Sequence, residues 1–361
     1  MKGVLSWSVV VVLLIASALV TSVLVSRPLF DETLLPQALD DITIASPDVA
    51  LSFARYDNGG GRRTLLVTQY RGGRVTGIDV GAVLGRDGAD PIALFAQHGY
   101  EALRQIAGAE GPRVSVAAAA LALPFETVER NIGVGLAYPA HAEEAGLGSE
   151  PVLFPKLTQP SGALSTIAKG DAGLLDYEAE LCIVALDDLV GPAPAPTHMG
   201  LLLCHDVSDR WGLIRGVDPS APMRTTGFEA GKGRNGFAPI GSLLVIPRDV
   251  EAFYRGIELQ LYLNGRLRQR EHAGAMLWSP QRALGEIFAN AGVDYGYGAR
   301  RVRLLDDPAR LPARTIVFTG TPEGVIFKPL NFFNPWLYLQ PGDEIVIRAD
   351  YLGVMRNRIV D

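Results

Sequence analysis

The chain has 361 residues, 48% hydrophobic and 20% charged, with 40 Gly and 24 Pro; that composition excludes a disordered chain and suits a packed, turn-rich body. A formal net charge of −6 provides no basic face, which excludes nucleic acid as an expected partner, so an anionic ligand would need local cations or a metal. Cys182 and Cys204, the only cysteines, are too few for a disulfide scaffold or a zinc–cysteine site.

From Gly3 to Ser26 no charged residue occurs, and 24 helical residues would rise about 36 Å against a hydrocarbon core of about 30 Å. Residues 1–27 are therefore expected to form a single-pass membrane anchor. Lys2 and the amino terminus would lie inside, with the body outside the cytoplasm. The competing reading is a secretory signal cleaved after Ala16-Ser17-Ala18, leaving a secreted or periplasmic body; the apolar run continuing to Val25 favours the anchor.

Residues 28–47 read as a polar, Pro-containing linker, and 48–130 as a small β-rich module with one helix. In that module the β-branched runs Thr64 to Thr68 and Val75 to Val80 are broken by glycine turns, and Leu94 to Ile106 has helical spacing. From residue 131 onward short strands alternate with Gly/Pro turns, as at Leu181 to Leu186, Leu243 to Ile246, Glu258 to Leu263, Thr315 to Thr319 and Glu344 to Ala349. Ser279-Pro280 opens a helix with an N-cap residue and Pro at the first helical position. The fold class is β-rich α+β.

Glu178 and Glu180 are two apart in a strand and share a face. Two carboxylates that close repel unless a cation lies between them, and hard ions such as Mg²⁺ or Ca²⁺ prefer such ligands. Alone, the pair reads first as the exposed polar face of an edge strand. Asp206, ending the apolar run Leu201 to Cys204, needs a partner and supplies a third carboxylate. His141 and Glu144 are one helical turn apart; they form either a solvated surface pair or a base with its orienting carboxylate. Thr319 to Val325 is an ordinary tight turn or an oxyanion cradle of N–H groups and hydroxyls. Gly231-Lys232-Gly233 lacks the spacing and the Ser/Thr of a phosphate loop. His205 points away from Asp206, and no role attaches to His98, His198 or His272. If Glu180 and Asp206 faced each other across antiparallel strands, Cys182 and Cys204 would too, within disulfide reach; otherwise they are two buried thiols on unrelated strands.

Taken in order, these segments resemble the fumarylacetoacetate hydrolase (FAH) family from about residue 131 to the C-terminus. The matches are Gly135 to Tyr138 with His141 and Glu144, Pro151 to Lys156, Asp176 to Leu181, and Asp206 to Arg210. They continue through Lys232 with Phe237 to Gly241, Asn264-Gly265 with Gln269 and Met276, Thr319 to Val325, and Pro341 to Asp343. The resemblance implies a mixed β-sandwich/roll catalytic domain over 131–361 that holds Mg²⁺, or Ca²⁺ or Mn²⁺, at Glu178, Glu180 and Asp206. It also implies a water-activating dyad of His141 and Glu144, oxygen contacts from Lys232 and Thr321, and substrate contacts from Tyr138, Arg210 and Gln269. The implied partner is a small anionic acylpyruvate-like 1,3-dicarbonyl or 2-oxo acid, hydrolysed at a C–C bond, with a second copy of the chain as a candidate partner. Decarboxylation, isomerisation or hydration on the same site, or a membrane-tethered binding protein without turnover, are the alternatives. The chain departs from the family pattern at Ala137, where Asn is common, at Trp211 and Leu213, where an acidic residue and Gln are common, and at Gly233-Arg234, where Ser-Phe is usual.

Overall fold

A computed structural model describes residues 7–361 except 27–28, 110–112, 147, 149, 192–195 and 219–226. Helix α1 is Trp7–Val25. The first strands are β1 (Ala50–Asp57), β2 (Arg62–Arg71) and β3 (Arg74–Asp79). Helix α2 (Pro91–Gly108) is capped by Asp90, which accepts from the Ala93 N–H. Then come β4 (Val114–Ala117), β5 (Arg130–Gly135), α3 (Pro139–Glu144), β6 (Val152–Leu157) and β7 (Leu164–Ala168). The central strands are β8 (Ala179–Val184) and β9 (Gly200–His205), followed by α4 (Arg210–Arg215) and α5 (Gly227–Lys232). The remainder holds β10 (Leu243–Pro247), β11 (Glu258–Leu263), β12 (Arg266–His272), α6 (Pro280–Ala289), β13 (Ile316–Phe318), β14 (Glu344–Ala349) and β15 (Gly353–Val360).

Ten strands form one sheet in the order β4-β3-β2-β1-β10-β9-β8-β13-β5-β6, and five form a second, β12-β11-β14-β15-β7. Both are mixed: β13 runs parallel to β5 and β15 parallel to β7, and the other pairs are antiparallel. Strand β1 pairs with β10, so residues 50–117 extend the sheet that carries the later strands.

β8 and β9 are buried at every position because both of their faces are covered. Leu181, Ile183, Leu201 and Leu203 pack toward Leu259, Leu261 and Ile345 of the second sheet. The opposite face, carrying Val184 and Leu202, packs with Phe95 and Leu103 of α2. That sandwiching explains why neither strand alternates apolar with polar.

The cysteine expectation needs correcting. β8 and β9 are antiparallel neighbours, but Cys204 pairs with Glu180 and Cys182 with Leu202, an offset of two from the register that would set the cysteines opposite. An even offset keeps both on one face. They meet diagonally with Cα atoms 5.9 Å apart and form a disulfide, so the reading of unrelated buried thiols is overturned. Denatured, unreduced protein is expected to contain no free thiol. Closing a 22-residue separation stabilises the fold by about 3 kcal/mol in a chain-entropy account, so a Cys182→Ala, Cys204→Ala variant should melt earlier. Two titratable thiols in unreduced protein would refute the bridge.

The anchor expectation is also overturned. The described part of helix α1 is Trp7–Val25. Among the described residues no helix is long and apolar enough to cross a membrane, and the localisation built on such a span falls with it. The absence of charge from Gly3 to Ser26 was the whole signal, and it says nothing of what helix α1 packs against. Its last turns meet the body instead: Ser22 is buried and its hydroxyl accepts from Asn334 Nδ2 at 2.9 Å. Residues beyond it also dock. Leu34 N–H donates to the Gly265 carbonyl, Arg270 grips Glu32 with two nitrogens, and Phe30 and Leu34 pack on Tyr262, Leu267 and Val346.

Candidate active site

Strand ends bring the polar residues together. Glu178 lies just before β8, Glu180 is its second residue, and Asp206 directly follows β9. The Asp206 N–H donates to the Glu178 carbonyl at 3.0 Å, tying the two strand ends. Each of the three carboxylates presents an oxygen within 4.8 Å of the others. Lys232, the last residue of α5, donates to Glu178 Oε2 at 2.8 Å and to Asp206 Oδ2 at 2.7 Å. Lys156 of β6 donates to Asp206 Oδ1 at 2.6 Å and to the carbonyls of Lys232 and Phe237. Arg210, opening α4, bridges Asp176 at 2.8 Å and Glu178 at 2.7 Å.

The charges do not balance. Four buried carboxylates (Asp176, Glu178, Glu180, Asp206) face three buried cations (Lys156, Arg210, Lys232), leaving one negative charge. That excess falls on Glu180, which accepts the Gly320 N–H at 3.0 Å and has no ion pair among the described residues. Burial, with Asp206 and Glu178 nearby, pushes its carboxyl well above the usual range. Burial also works against the Glu178 carboxylate, but Lys232 and Arg210 outweigh it and hold the group at about 2. For Lys232 burial is likewise outweighed, here by Asp206 and Glu178, and its ammonium is raised. Burial wins at Lys156, which is lowered in spite of Asp206.

His141 and Glu144 are not a solvated surface pair. Both are largely buried, and His141 Nδ1 lies 3.3 Å from Glu144 Oε1. Glu144 is fixed in turn by the N–H groups of Gly324 at 3.1 Å and Val325 at 3.3 Å. The 319–325 turn therefore binds a carboxylate of the chain itself. Gly324 makes this possible: its φ is +98°, and a Cβ there would lie 2.1 Å from the Arg268 carbonyl oxygen. Gly324→Ala is expected to cost at least about 1–3 kcal/mol of stability and to lower activity by releasing Glu144. A variant with parental melting temperature and activity would contradict this account of the turn.

A cavity of about 350 Å³ opens onto this cluster, within the range of small-molecule sites. His141, Glu178, Arg210, Lys232 and Thr321 line it. Other expected site residues lie elsewhere or are already engaged. Gln269, expected to touch substrate, is fully buried and does not line the cavity. Its Oε1 accepts from the Ala179 N–H at 2.9 Å, while Nε2 donates to Thr321 Oγ1 at 2.9 Å and to the Pro322 carbonyl at 2.8 Å. It is a brace between β8 and the 319–325 turn. Tyr138 is likewise buried and away from the cavity wall. Thr321 lines the cavity, but its hydroxyl donates to the Ala179 carbonyl at 3.0 Å, so its proton is engaged.

Two residues of the cluster carried no assignment in the sequence. Lys156 is a lysine inside the apolar strand Val152–Leu157, which was itself a signal, since an interior ammonium needs a carboxylate. Asp176 accepts from Arg210, from the Ile326 N–H at 2.9 Å and from the Phe327 N–H at 3.0 Å, which ties the cluster to the chain after the turn. His205, placed away from the site, contacts Asn357 Oδ1 at 2.9 Å, and burial pushes its imidazole down to about 4. Of the departures, Leu213 lines the cavity and Trp211 stacks on Phe332 with ring centroids 5.5 Å apart.

Residues 130–360 match the fumarylacetoacetate (FAA) hydrolase C-terminal family, and the chain belongs to it. It is an enzyme of a family of hydrolases acting on C–C bonds and related isomerases. A 2,4-didehydro-3-deoxy-L-rhamnonate hydrolase from Sphingomonas sp. (strain SKA58) is 25% identical over 248 residues, 66% of this chain and 75% of that protein. The fumarylacetoacetate hydrolase from psychrophilic Exiguobacterium antarcticum superimposes with a TM-score of 0.61 at 23% identity, covering 86% of this chain and 99% of that one. A 5-carboxymethyl-2-hydroxymuconate delta-isomerase from Mycobacterium smegmatis gives 0.55 at 21% identity, covering 86% and 98%. These two likenesses are of fold.

Proposed function

We propose that the enzyme hydrolyses a C–C bond in an acylpyruvate-like 1,3-dicarbonyl acid, with a divalent ion, Mg²⁺ or alternatively Mn²⁺ or Ca²⁺, held by Glu178, Glu180 and Asp206. The observation that carries this reading is the convergence of three buried carboxylates, one of them without a cation partner among the described residues, behind a cavity that Glu178 of that cluster and His141 of the His–Glu pair line. The donor set fits such an ion: all oxygen, anionic, and already drawing the Lys232 ammonium between two of its members. Bound there, the ion supplies Lewis-acid charge compensation to the oxygens of the dicarbonyl.

The chain's own groups supply the rest. With its Nδ1–H donated to Glu144, His141 has Nε2 left to take a proton from water. That water adds to the acyl carbonyl, and the C–C bond to the pyruvyl carbon breaks. The bonding pair leaves as the enolate of pyruvate, and the proton taken by His141 is returned to that carbon. Products are the acyl acid, carrying the oxygen from water, and pyruvate. Arg210 and Lys232 give the cavity its positive lining for the substrate carboxylate, while Asp176 and Lys156 hold that lining in place. The test is an assay of purified protein with Mg²⁺ or Mn²⁺ against acylpyruvates, oxaloacetate and 2-hydroxymuconate-type acids. Turnover confined to acylpyruvates is expected, and turnover of either other class alone would replace this reading.

A further inference from the structure

The polar side chains of the cavity sit in a largely apolar lining. Beside His141, Glu178, Arg210, Lys232 and Thr321 it carries Val152, Phe154, Leu213, Ile214, Val217 and Phe228, and the Phe154 ring centroid lies 5.6 Å from the Lys232 ammonium. The apolar wall is fixed by packing. Phe154 and Phe228 stack with centroids 4.4 Å apart and planes 5° from parallel. Helices α4 and α5, which carry Leu213 and Phe228, approach through two glycines. A Cβ on Gly212 would lie 2.7 Å from the Ala230 carbonyl oxygen, and one on Gly231 would lie 2.3 Å from Leu213 Cγ. Leu213 is thereby held at the wall. The cations that line the cavity, Arg210 and Lys232, are both ion-paired with Asp176, Glu178 and Asp206. A second carboxylate on a ligand would lose its water against hydrocarbon and find, among the described lining residues, no cation that is not already ion-paired.

We infer that the variable end of the substrate is an apolar alkyl or aryl chain, so that the enzyme takes monocarboxylic acylpyruvates in preference to those ending in a second carboxylate. This rests on reading the cavity as the 2-oxo acid site. Leu213, Val217 and Phe228 are then specificity-determining residues that contact the chain. Each buried methylene should tighten binding about 4-fold, the equivalent of about 0.8 kcal/mol.

Binding can be separated from turnover. The full chain with Mg²⁺ is titrated calorimetrically with pyruvate, 2-oxobutanoate, 2-oxohexanoate, 2-oxooctanoate and the dicarboxylate 2-oxoadipate. Affinity should climb about 4-fold per methylene until the wall is filled, and 2-oxoadipate should bind more weakly than 2-oxohexanoate. In Leu213→Gln the ratio of 2-oxohexanoate to pyruvate affinity should fall about tenfold. A flat series, 2-oxoadipate binding as tightly as 2-oxohexanoate, or no 2-oxo acid bound at all would overturn the inference. Pyruvate release from acetylpyruvate and hexanoylpyruvate is followed in parallel. A tail gain without pyruvate release would sink the hydrolase reading and uphold this one, whereas release without a tail gain would do the reverse.

Discussion

Replacing His141 with Gln is expected to lower kcat by about 10²–10⁴-fold, the usual worth of a positioned base, while affinity for the divalent ion stays nearly unchanged. The amide keeps much of the shape of the imidazole but cannot accept a proton at its far nitrogen. His141 lines the cavity and contacts Glu144, whereas the three clustered carboxylates are held by other residues, so removing the base leaves the metal cradle intact. Steady-state kinetics at saturating metal check this, with calorimetry for the ion. An undiminished kcat would remove His141 from the mechanism.

The second large effect belongs to Glu180. Glu180→Gln should weaken Mg²⁺ or Mn²⁺ binding by more than about 100-fold, because on the proposed reading it removes the charge of a direct ligand where even outer partners are worth about 10–100-fold. It should do so without unfolding the protein. Glu180 has no cation partner among the described residues, so neutralising it orphans no buried charge. Glu178→Ala is the contrasting case: it takes one carboxylate from each of Lys232 and Arg210, leaving them only Asp206 and Asp176, and breaking a buried pair costs about 3–5 kcal/mol. The expected pattern is loss of metal with a retained melting temperature in Glu180→Gln, and loss of both in Glu178→Ala. Parental metal affinity in Glu180→Gln would show the site to be misassigned.

What the sequence disclosed follows from how local each signal is. The acidic cluster was readable because Glu178 and Glu180 share a strand face and Asp206 ends an apolar run, both short-range patterns. His141 and Glu144 lie one helical turn apart, and that too is local. The offset of two between β8 and β9 is not, since parity is satisfied by either register and only the packing of both faces selects one. Gln269 is similar: nothing near it in sequence shows that its amide spans from Ala179 to Thr321. Lys156 was visible as an anomaly, a lysine among apolar strand residues, but its partners lie 50 and more residues away. The N-terminal helix misled because absence of charge was its only signal, and nothing near Ser22 in sequence shows that its hydroxyl meets Asn334.

Hydrolytic cleavage of a C–C bond makes one demand that isomerisation, decarboxylation and hydration do not share: an oxygen from water must end in the carboxylate of the acyl product. The decisive measurement is therefore mass spectrometry of the products formed from an acylpyruvate in H₂¹⁸O with saturating Mg²⁺ or Mn²⁺. The account predicts one ¹⁸O in the released acyl acid, pyruvate in equal amount, and loss of both products on metal removal or in His141→Gln. Consumption of the acylpyruvate with no labelled acyl acid would contradict it.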